Sequence, residues 1–94
     1  MRYLEQFPNY DDTLPTLEGF YDTSWHNDLC PSITNADHVA EDKTITVFCD
    51  WKDINQREWQ DPRFTVYFNN NYEDIVFQSE TFEDIRAFIK SQSV

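Results

Sequence analysis

The chain is 94 residues long, which is enough for one domain with one hydrophobic core. Its eight Phe, five Tyr and three Trp exclude a wholly disordered chain, since disordered sequences contain few aromatic residues. The 18 acidic and 7 basic residues give a net charge of −11, which disfavours binding to nucleic acid or to an anionic membrane. The sequence has no long apolar run and its N-terminus is too polar for a signal peptide, so we expect a cytoplasmic protein with two reduced cysteines, Cys30 and Cys49.

Residues 1–43 form the more acidic and less regular part of the sequence. Residues 1–42 carry nine acidic side chains and one basic side chain, a local net charge of −8. Three of the four prolines lie here, and each favours extended backbone at the residue before it, which disfavours a long helix. We predict an edge strand around residues 17–21 and mainly loop over residues 27–42.

Two strands are predicted from side chains that alternate between two faces, one of them apolar. Residues 44–51 are rich in β-branched and aromatic residues, and every second side chain from Ile45 onward is apolar. Residues 63–68 also alternate, with Phe64, Val66 and Phe68 on one face and with the other face carrying Thr65 and Tyr67. The eleven residues between these strands are long for a hairpin loop, and loops of that length are often functional.

A hairpin and a helix are predicted after the second of these strands. Three consecutive asparagines at residues 69–71 favour a tight turn, and residues 72–78 return as a third strand. The helix is predicted to begin after Thr81, a good N-cap that has Asp84 three residues on, as in a capping box. The helix presents one apolar stripe, formed by Phe82, Ile85, Phe88 and Ile89.

These elements predict an α+β fold. The expected architecture is a small antiparallel β-sheet of three to four strands with the C-terminal α-helix packed on one face. Residues 44–94 would form a β-β-β-α unit, and the irregular acidic N-terminal region would add an edge strand or wrap around the sheet. We expect residues 1–94 to be a single domain.

The segment from residue 22 to residue 32 is the densest in side chains that carry chemistry. It predicts a pocket formed by Trp25, His26, Asn27, Asp28 and Cys30. A histidine near a cysteine can generate a nucleophilic thiolate, but no family signature surrounds Cys30 and no glycine-rich turn could form an oxyanion hole. We assign no catalytic residue and keep three interpretations open: a structural knot, a binding pocket without catalysis, and a small Cys/His enzyme.

The sequence also contains a candidate set of metal ligands. His26, Cys30, His38 and Cys49 supply a Cys₂His₂ set with the spacing H-x3-C-x7-H-x10-C. Zinc fingers place such ligands in two closely spaced pairs, and only His26 and Cys30 form one here. The acidic residues also lack the spacing of a calcium-binding loop. We therefore predict neither a metal nor another cofactor.

The strongest functional signal is the acidity itself. A rigid acidic face can imitate the backbone charge of a nucleic acid and occupy the basic groove of a nuclease or of another nucleic-acid-binding protein. Phage-encoded inhibitors and the immunity proteins of nuclease toxins share this small, acidic and aromatic composition. We predict an acidic protein-binding domain, a nucleic-acid-mimicking inhibitor or immunity-type protein, that blocks a basic partner. The alternative is a housekeeping or regulatory binding domain whose acidity serves solubility.

The predicted partner-binding residues combine acidic side chains with one tryptophan. Trp59 lies in the long loop between two predicted strands, where it either folds back as a lid on the sheet or is exposed as a binding residue. Direct binding to nucleic acid or to a membrane is not predicted. The full predicted set is Asp11, Asp12, Glu18, Asp22, Asp28, Glu41, Asp42 and Trp59.

Overall fold

The computed structural model describes residues 2–35, 44–58, 62–68 and 74–92. In these residues a short N-terminal helix precedes five strands, and a longer helix follows them. In chain order the elements are α1 (Arg2–Gln6), β1 (Tyr21–Asp22), β2 (Ser32–Thr34), β3 (Ile45–Cys49), a 3₁₀ turn (Ile54–Gln56), β4 (Phe64–Phe68), β5 (Phe77–Ser79) and α2 (Phe82–Gln92).

The five strands form one antiparallel sheet in the order β1-β2-β3-β4-β5, so each strand pairs with its neighbours in sequence. Ile33 lies opposite Val47, and Val47 lies opposite Val66. Directly opposed residues of antiparallel strands point to the same face, so these three side chains form a row across the sheet. We call the side that carries this row the core face.

Both helices contribute to the core that covers this face. Ile85 and Ile89 of α2 belong to the same buried cluster as Val47 and Val66, and α2 contacts β4 and β5. The N-terminal region adds four more buried side chains to the cluster: Tyr3, Phe7, Tyr10 and Leu14. The predicted α+β class, with an antiparallel sheet and a C-terminal helix, is therefore confirmed. The segment that we predicted to be irregular supplies part of the core.

The predicted count of three to four strands is wrong, because the described residues alone form a sheet of five. Strand β2 lies inside residues 27–42, which we predicted to be mainly loop, and β1 begins where the predicted edge strand at residues 17–21 ends. Two of the three residues of β2 are polar, yet Ser32, Ile33 and Thr34 are all buried. Hydrogen bonds make this burial tolerable, since the Thr34 hydroxyl bonds to the hydroxyls of Thr46 (3.1 Å) and Thr23 (2.8 Å).

The elements of the C-terminal half follow the predicted order with shorter bounds. Strands β3 and β4 lie inside residues 44–51 and 63–68, whereas β5 begins only near the end of the predicted strand at residues 72–78. Helix α2 begins directly after Thr81, as predicted, but Asp84 accepts a hydrogen bond from Ser79 Oγ (2.7 Å). The asparagine turn lies outside the described residues. Neither described helix is long and apolar enough to span a membrane.

Candidate functional site

The candidate site is a groove on the second face of the sheet, opposite the core face. Phe48 lies opposite Thr65, and Thr65 lies opposite Gln78, so these three side chains form a row that points away from the core. Above this row lies a cavity of about 640 Å³. Ligand pockets commonly measure roughly 300–1,000 Å³, so the cavity is large enough for a side chain or a short peptide segment. We call it the sheet groove.

Two loops and Ile75, which precedes β5, form the walls of the sheet groove. The loop between β1 and β2 provides one wall, and the residues after β3 and before β4 close one end. Leu29 and Ile75 border the cavity with exposed fractions of 48% and 52%. Half-exposed apolar side chains at the border of a concave surface are typical of a binding site. The wall residues are Asn27, Asp28, Leu29, Cys30, Asp50, Pro62, Arg63 and Ile75.

The floor of the groove combines an aromatic pair with a polar strip. The rings of Phe48 and Tyr67 meet edge to face, with centroids 5.7 Å apart. Gln78 Nε2 donates a hydrogen bond to Thr65 Oγ1 (3.3 Å) beside them. Burial raises the pKa of Tyr67, so the phenol is neutral at physiological pH. The floor can therefore contact an apolar or planar cationic group without opposing charge.

Two half-buried carboxylates line the same groove. Burial raises the pKa of the Asp28 carboxyl. Burial also raises that of Asp50, although the Trp51 N–H bonded to Asp50 Oδ1 (2.8 Å) and the charges of Arg57 and Arg63 oppose the shift. Within the described residues, neither carboxylate forms a salt bridge. A cationic ligand would compensate both charges, because an opposite charge favours the ionised form of a carboxyl group.

Arg63 borders the groove, but its guanidinium is engaged in other contacts. Its Nε donates to the Asp50 carbonyl (2.9 Å), and its Nη2 donates to Tyr10 Oη (3.1 Å) and to Asp12 Oδ2 (3.2 Å). The side chain is only 10% exposed. Because Arg63 is paired with Asp12, the negative charge of the groove comes largely from Asp28 and Asp50.

The interior holds a second arginine. The Arg57 side chain is 1% exposed, and its guanidinium donates to both carboxylate oxygens of Glu80 at 2.8 Å. Arg57 and Arg63 together remove two of the seven basic side chains from the surface. Each of these arginines is paired with a carboxylate, Arg57 with Glu80 and Arg63 with Asp12.

Of the five residues of the predicted pocket, Asn27, Asp28 and Cys30 line the sheet groove and two do not. Trp25 is 45% exposed and its ring lies 4.3 Å from that of His26, whose Nδ1 is 2.8 Å from Gln6 Oε1. Burial raises the pKa of the Cys30 thiol far above its usual range. A reactive cysteine needs an exposed sulfur and a lowered pKa, and Cys30 has neither.

Three of the predicted partner-binding carboxylates hold the fold together. Asp22 accepts hydrogen bonds from the backbone N–H groups of Tyr3 (2.7 Å) and Ser24 (3.0 Å). Asp12 pairs with Arg63, as described above. Asp11 accepts the N–H groups of residues 52 and 53 at 2.9 and 2.8 Å, and although partial burial opposes ionisation, these bonds hold its pKa below the usual range.

The remaining predicted residues divide into two groups. Glu18 is exposed and does not line the groove. Glu41, Asp42, Trp59 and the candidate zinc ligand His38 lie outside the described residues. Among the residues that the structure describes, no three His, Cys, Asp or Glu side chains are grouped as metal ligands.

The sequence interpretation missed most of the groove, above all Phe48, Tyr67 and Asp50. One usable signal was present, because the alternation of β3 and β4 places bulky aromatic side chains on the face opposite the core. A sheet with one solvated face normally carries polar residues there. Aromatic residues on that face indicate that something covers or binds it.

No protein-family model, curated protein or solved structure is significantly similar to this chain.

The raised pKa values of Asp28 and Asp50 predict a pH dependence of stability. Each folded-state pKa lies above the ordinary value of 3.8, so just above that pH the folded chain binds more protons than the unfolded chain. The contribution of these two carboxyl groups to the free energy of unfolding is therefore greatest below pH 3.8, and it decreases as the pH rises through their folded-state pKa values. We expect the variant D28N/D50N, which stays neutral, to gain on the order of 0.5 kcal/mol over the parent at neutral pH.

Urea unfolding at a series of pH values measures this difference. The control is E5Q/E83Q, which removes the same net charge from exposed positions on the two helices. A gain for D28N/D50N that is equally large below pH 3.8, or that the control reproduces, would contradict the prediction.

Proposed function

We propose that this chain is an acidic protein-binding domain that captures a basic partner protein, with the sheet groove receiving a cationic segment of that partner. The observation that carries the proposal is the groove itself. A cavity of about 640 Å³ lies over an aromatic floor and is lined by two half-buried carboxylates, Asp28 and Asp50, that have no salt bridge within the described residues.

The charge of the chain supports a basic partner. The net charge of −11 attracts a positively charged surface over several ångströms and speeds its encounter. Charge acts mainly on the association rate, whereas buried apolar and aromatic contacts prolong the complex. The groove offers contacts of the second kind through Phe48, Tyr67, Leu29 and Ile75.

The class of partner that fits best is a protein with a basic nucleic-acid-binding surface, such as a nuclease. Such surfaces carry closely spaced Lys and Arg side chains that neutralise phosphates. An acidic domain that occupies this surface acts as an inhibitor or immunity-type protein by excluding the nucleic acid.

Both cysteines are free thiols, which is typical of proteins kept in a reducing compartment such as the cytoplasm.

The alternative function is a housekeeping or regulatory binding domain whose acidity serves solubility. In that case the groove would bind a neutral or apolar segment through Leu29 and Ile75, and its two carboxylates would not contribute to affinity. The two functions differ in the response of binding to charge, so an experiment on charge separates them.

The test uses a fluorescein-labelled hexa-lysine peptide as the cationic probe, with binding followed by fluorescence anisotropy. We expect binding that weakens as salt is raised to about 0.15 M, where the Debye length is about 8 Å. The variant D28N/D50N should bind about tenfold more weakly, because it removes two partly desolvated partners of the cationic groups.

The control variant E5Q/E83Q has the same net charge as D28N/D50N but leaves the groove intact. It should change the affinity by less than about twofold, because exposed single charges contribute little. Equal losses in the two variants would show that binding depends on overall charge, and they would contradict a role for the groove. Absence of binding to the peptide would favour the alternative function.

A further inference from the structure

The sheet groove combines a pair of aromatic rings with carboxylates in one lining. The Phe48–Tyr67 pair forms part of its floor, and Asp28 and Asp50 lie in its walls. Among the side chains of a basic protein, only arginine has a planar cation that can stack on an aromatic ring and also donate several hydrogen bonds in a fixed fork.

We propose that the groove anchors an arginine side chain of the partner, with its guanidinium against Phe48 and Tyr67 and its N–H groups donated to Asp28 and Asp50. This inference rests on the proposed function and specifies the group that the groove recognises. A guanidinium is weakly hydrated, so it loses less on entering a partly desolvated groove than a lysine ammonium does. Charge-assisted hydrogen bonds to two carboxylates would further favour it.

The apolar residues at the border of the groove can contact the aliphatic part of the same arginine side chain. Leu29 and Ile75 are half exposed at the border of the cavity, where they can pack against the three methylene groups that precede a guanidinium. An apolar ligand would use these contacts as well, but it would leave the charges of Asp28 and Asp50 uncompensated in the complex.

The arginines of this chain already make both kinds of contact. The guanidinium carbons of Arg63 and Arg86 lie 4.8 and 5.2 Å from the ring centroids of Phe64 and Phe82. Arg57 binds Glu80 through two parallel hydrogen bonds of 2.8 Å. The proposed arginine site would combine a contact with an aromatic ring and hydrogen bonds to carboxylates in one place.

The experiment compares labelled hexa-arginine with labelled hexa-lysine, two peptides of equal length and charge. We expect hexa-arginine to bind about fivefold more tightly, because one cation–π contact in a partly desolvated site accounts for a difference in affinity of this size. The variants F48L and Y67L keep apolar bulk but each removes one ring. Each should weaken the binding of hexa-arginine more than the binding of hexa-lysine, so that the preference for hexa-arginine decreases.

A measurement on the unmodified protein keeps the test valid if a leucine variant fails to fold. The aromatic NMR resonances of Phe48 and Tyr67 should shift further on addition of hexa-arginine than on addition of hexa-lysine, because only the guanidinium stacks on the rings. Shifts of equal size with both peptides would overturn the arginine inference.

The outcomes also separate this inference from the proposed function. If both peptides bind with equal affinity and D28N/D50N weakens both, the arginine inference fails and the proposed function stands. If neither peptide binds, both fail. A preference for hexa-arginine that persists in F48L and in Y67L would overturn the stacking geometry.

Discussion

Replacing Arg57 with alanine is expected to lower the free energy of unfolding by about 3 kcal/mol. The buried guanidinium donates hydrogen bonds to both carboxylate oxygens of Glu80, to the Trp51 carbonyl (2.5 Å) and to the Lys52 carbonyl (3.0 Å). The substitution removes the donors of two backbone carbonyls and leaves a cavity where the side chain was packed. It also disconnects the loop after β3 from Glu80, which immediately follows β5.

The control for this prediction lies in the same loop. Lys52 is exposed, so K52A removes an equal charge without opening a cavity, and it should change the stability by less than about 0.5 kcal/mol. R57K keeps the charge but loses the fork, and we expect a loss between those of the two alanine variants. Urea unfolding followed by tryptophan fluorescence measures all three. Equal stabilities of R57A and K52A would contradict the structural role of Arg57.

Replacing Ile85 with alanine is expected to have an effect of similar size, about 3 kcal/mol. Ile85 is fully buried and belongs to the cluster in which α2 meets Val47 and Val66 of the sheet. Removing three carbon atoms there leaves a cavity that rigid strands cannot close. Because a domain of this size has a total stability of roughly 5–15 kcal/mol, the loss is a large part of the whole.

Two further variants calibrate the effect of Ile85. I85V removes one methyl group and should cost about 1 kcal/mol. K90A changes an exposed residue of the same helix and should stay within about 0.5 kcal/mol of the parent. A loss for I85A no larger than that for K90A, measured by urea unfolding, would mean that α2 does not pack on the core face.

The parts of the fold that the sequence predicted are those with a strong local pattern. Alternation in β3 and β4 identified both strands, because one face of each is buried and requires apolar side chains at every second position. The start of α2 after Thr81 followed from Thr81 as N-cap, with Asp84 three residues on, and from the apolar stripe that begins at Phe82.

The missed elements are stabilised by contacts between distant residues. Helix α1 has only five residues, and it is held by Asp22, which accepts the Tyr3 N–H, and by Arg2, whose Nε donates to the Ser24 carbonyl (2.7 Å). Strand β2 has two polar residues out of three, and hydroxyl contacts such as that between Thr34 and Thr46 of β3 accompany their burial. A local pattern cannot reveal either, since the partners lie up to 22 residues away.

The candidate site was predicted only where its residues are close in sequence. Asn27, Asp28 and Cys30 are near neighbours in the chain and were selected together for their chemistry. Phe48 and Tyr67 join them only because the register of β3 and β4 places both on the face opposite the core. The pairing of strands brings the residues of such a site together, and the local sequence pattern does not show which strands pair.

The assignment of acidic residues to a partner surface also needed the structure. Asp11, Asp12 and Asp22 are occupied by backbone N–H groups or by Arg63. Asp50 was not selected, although it lines the groove and is half buried. Composition counts every carboxylate equally, whereas hydrogen bonding decides which of them can meet a ligand.

The central claim is that the sheet groove is where this chain binds a cationic segment. The most direct test is a two-dimensional amide NMR titration of the unmodified protein with hexa-lysine. We predict that the largest shifts occur at Phe48, Thr65, Tyr67 and Gln78, which form the groove floor, and that amides of α1 and α2 move little. Shifts concentrated on the helices, or spread evenly over exposed acidic residues, would contradict the claim.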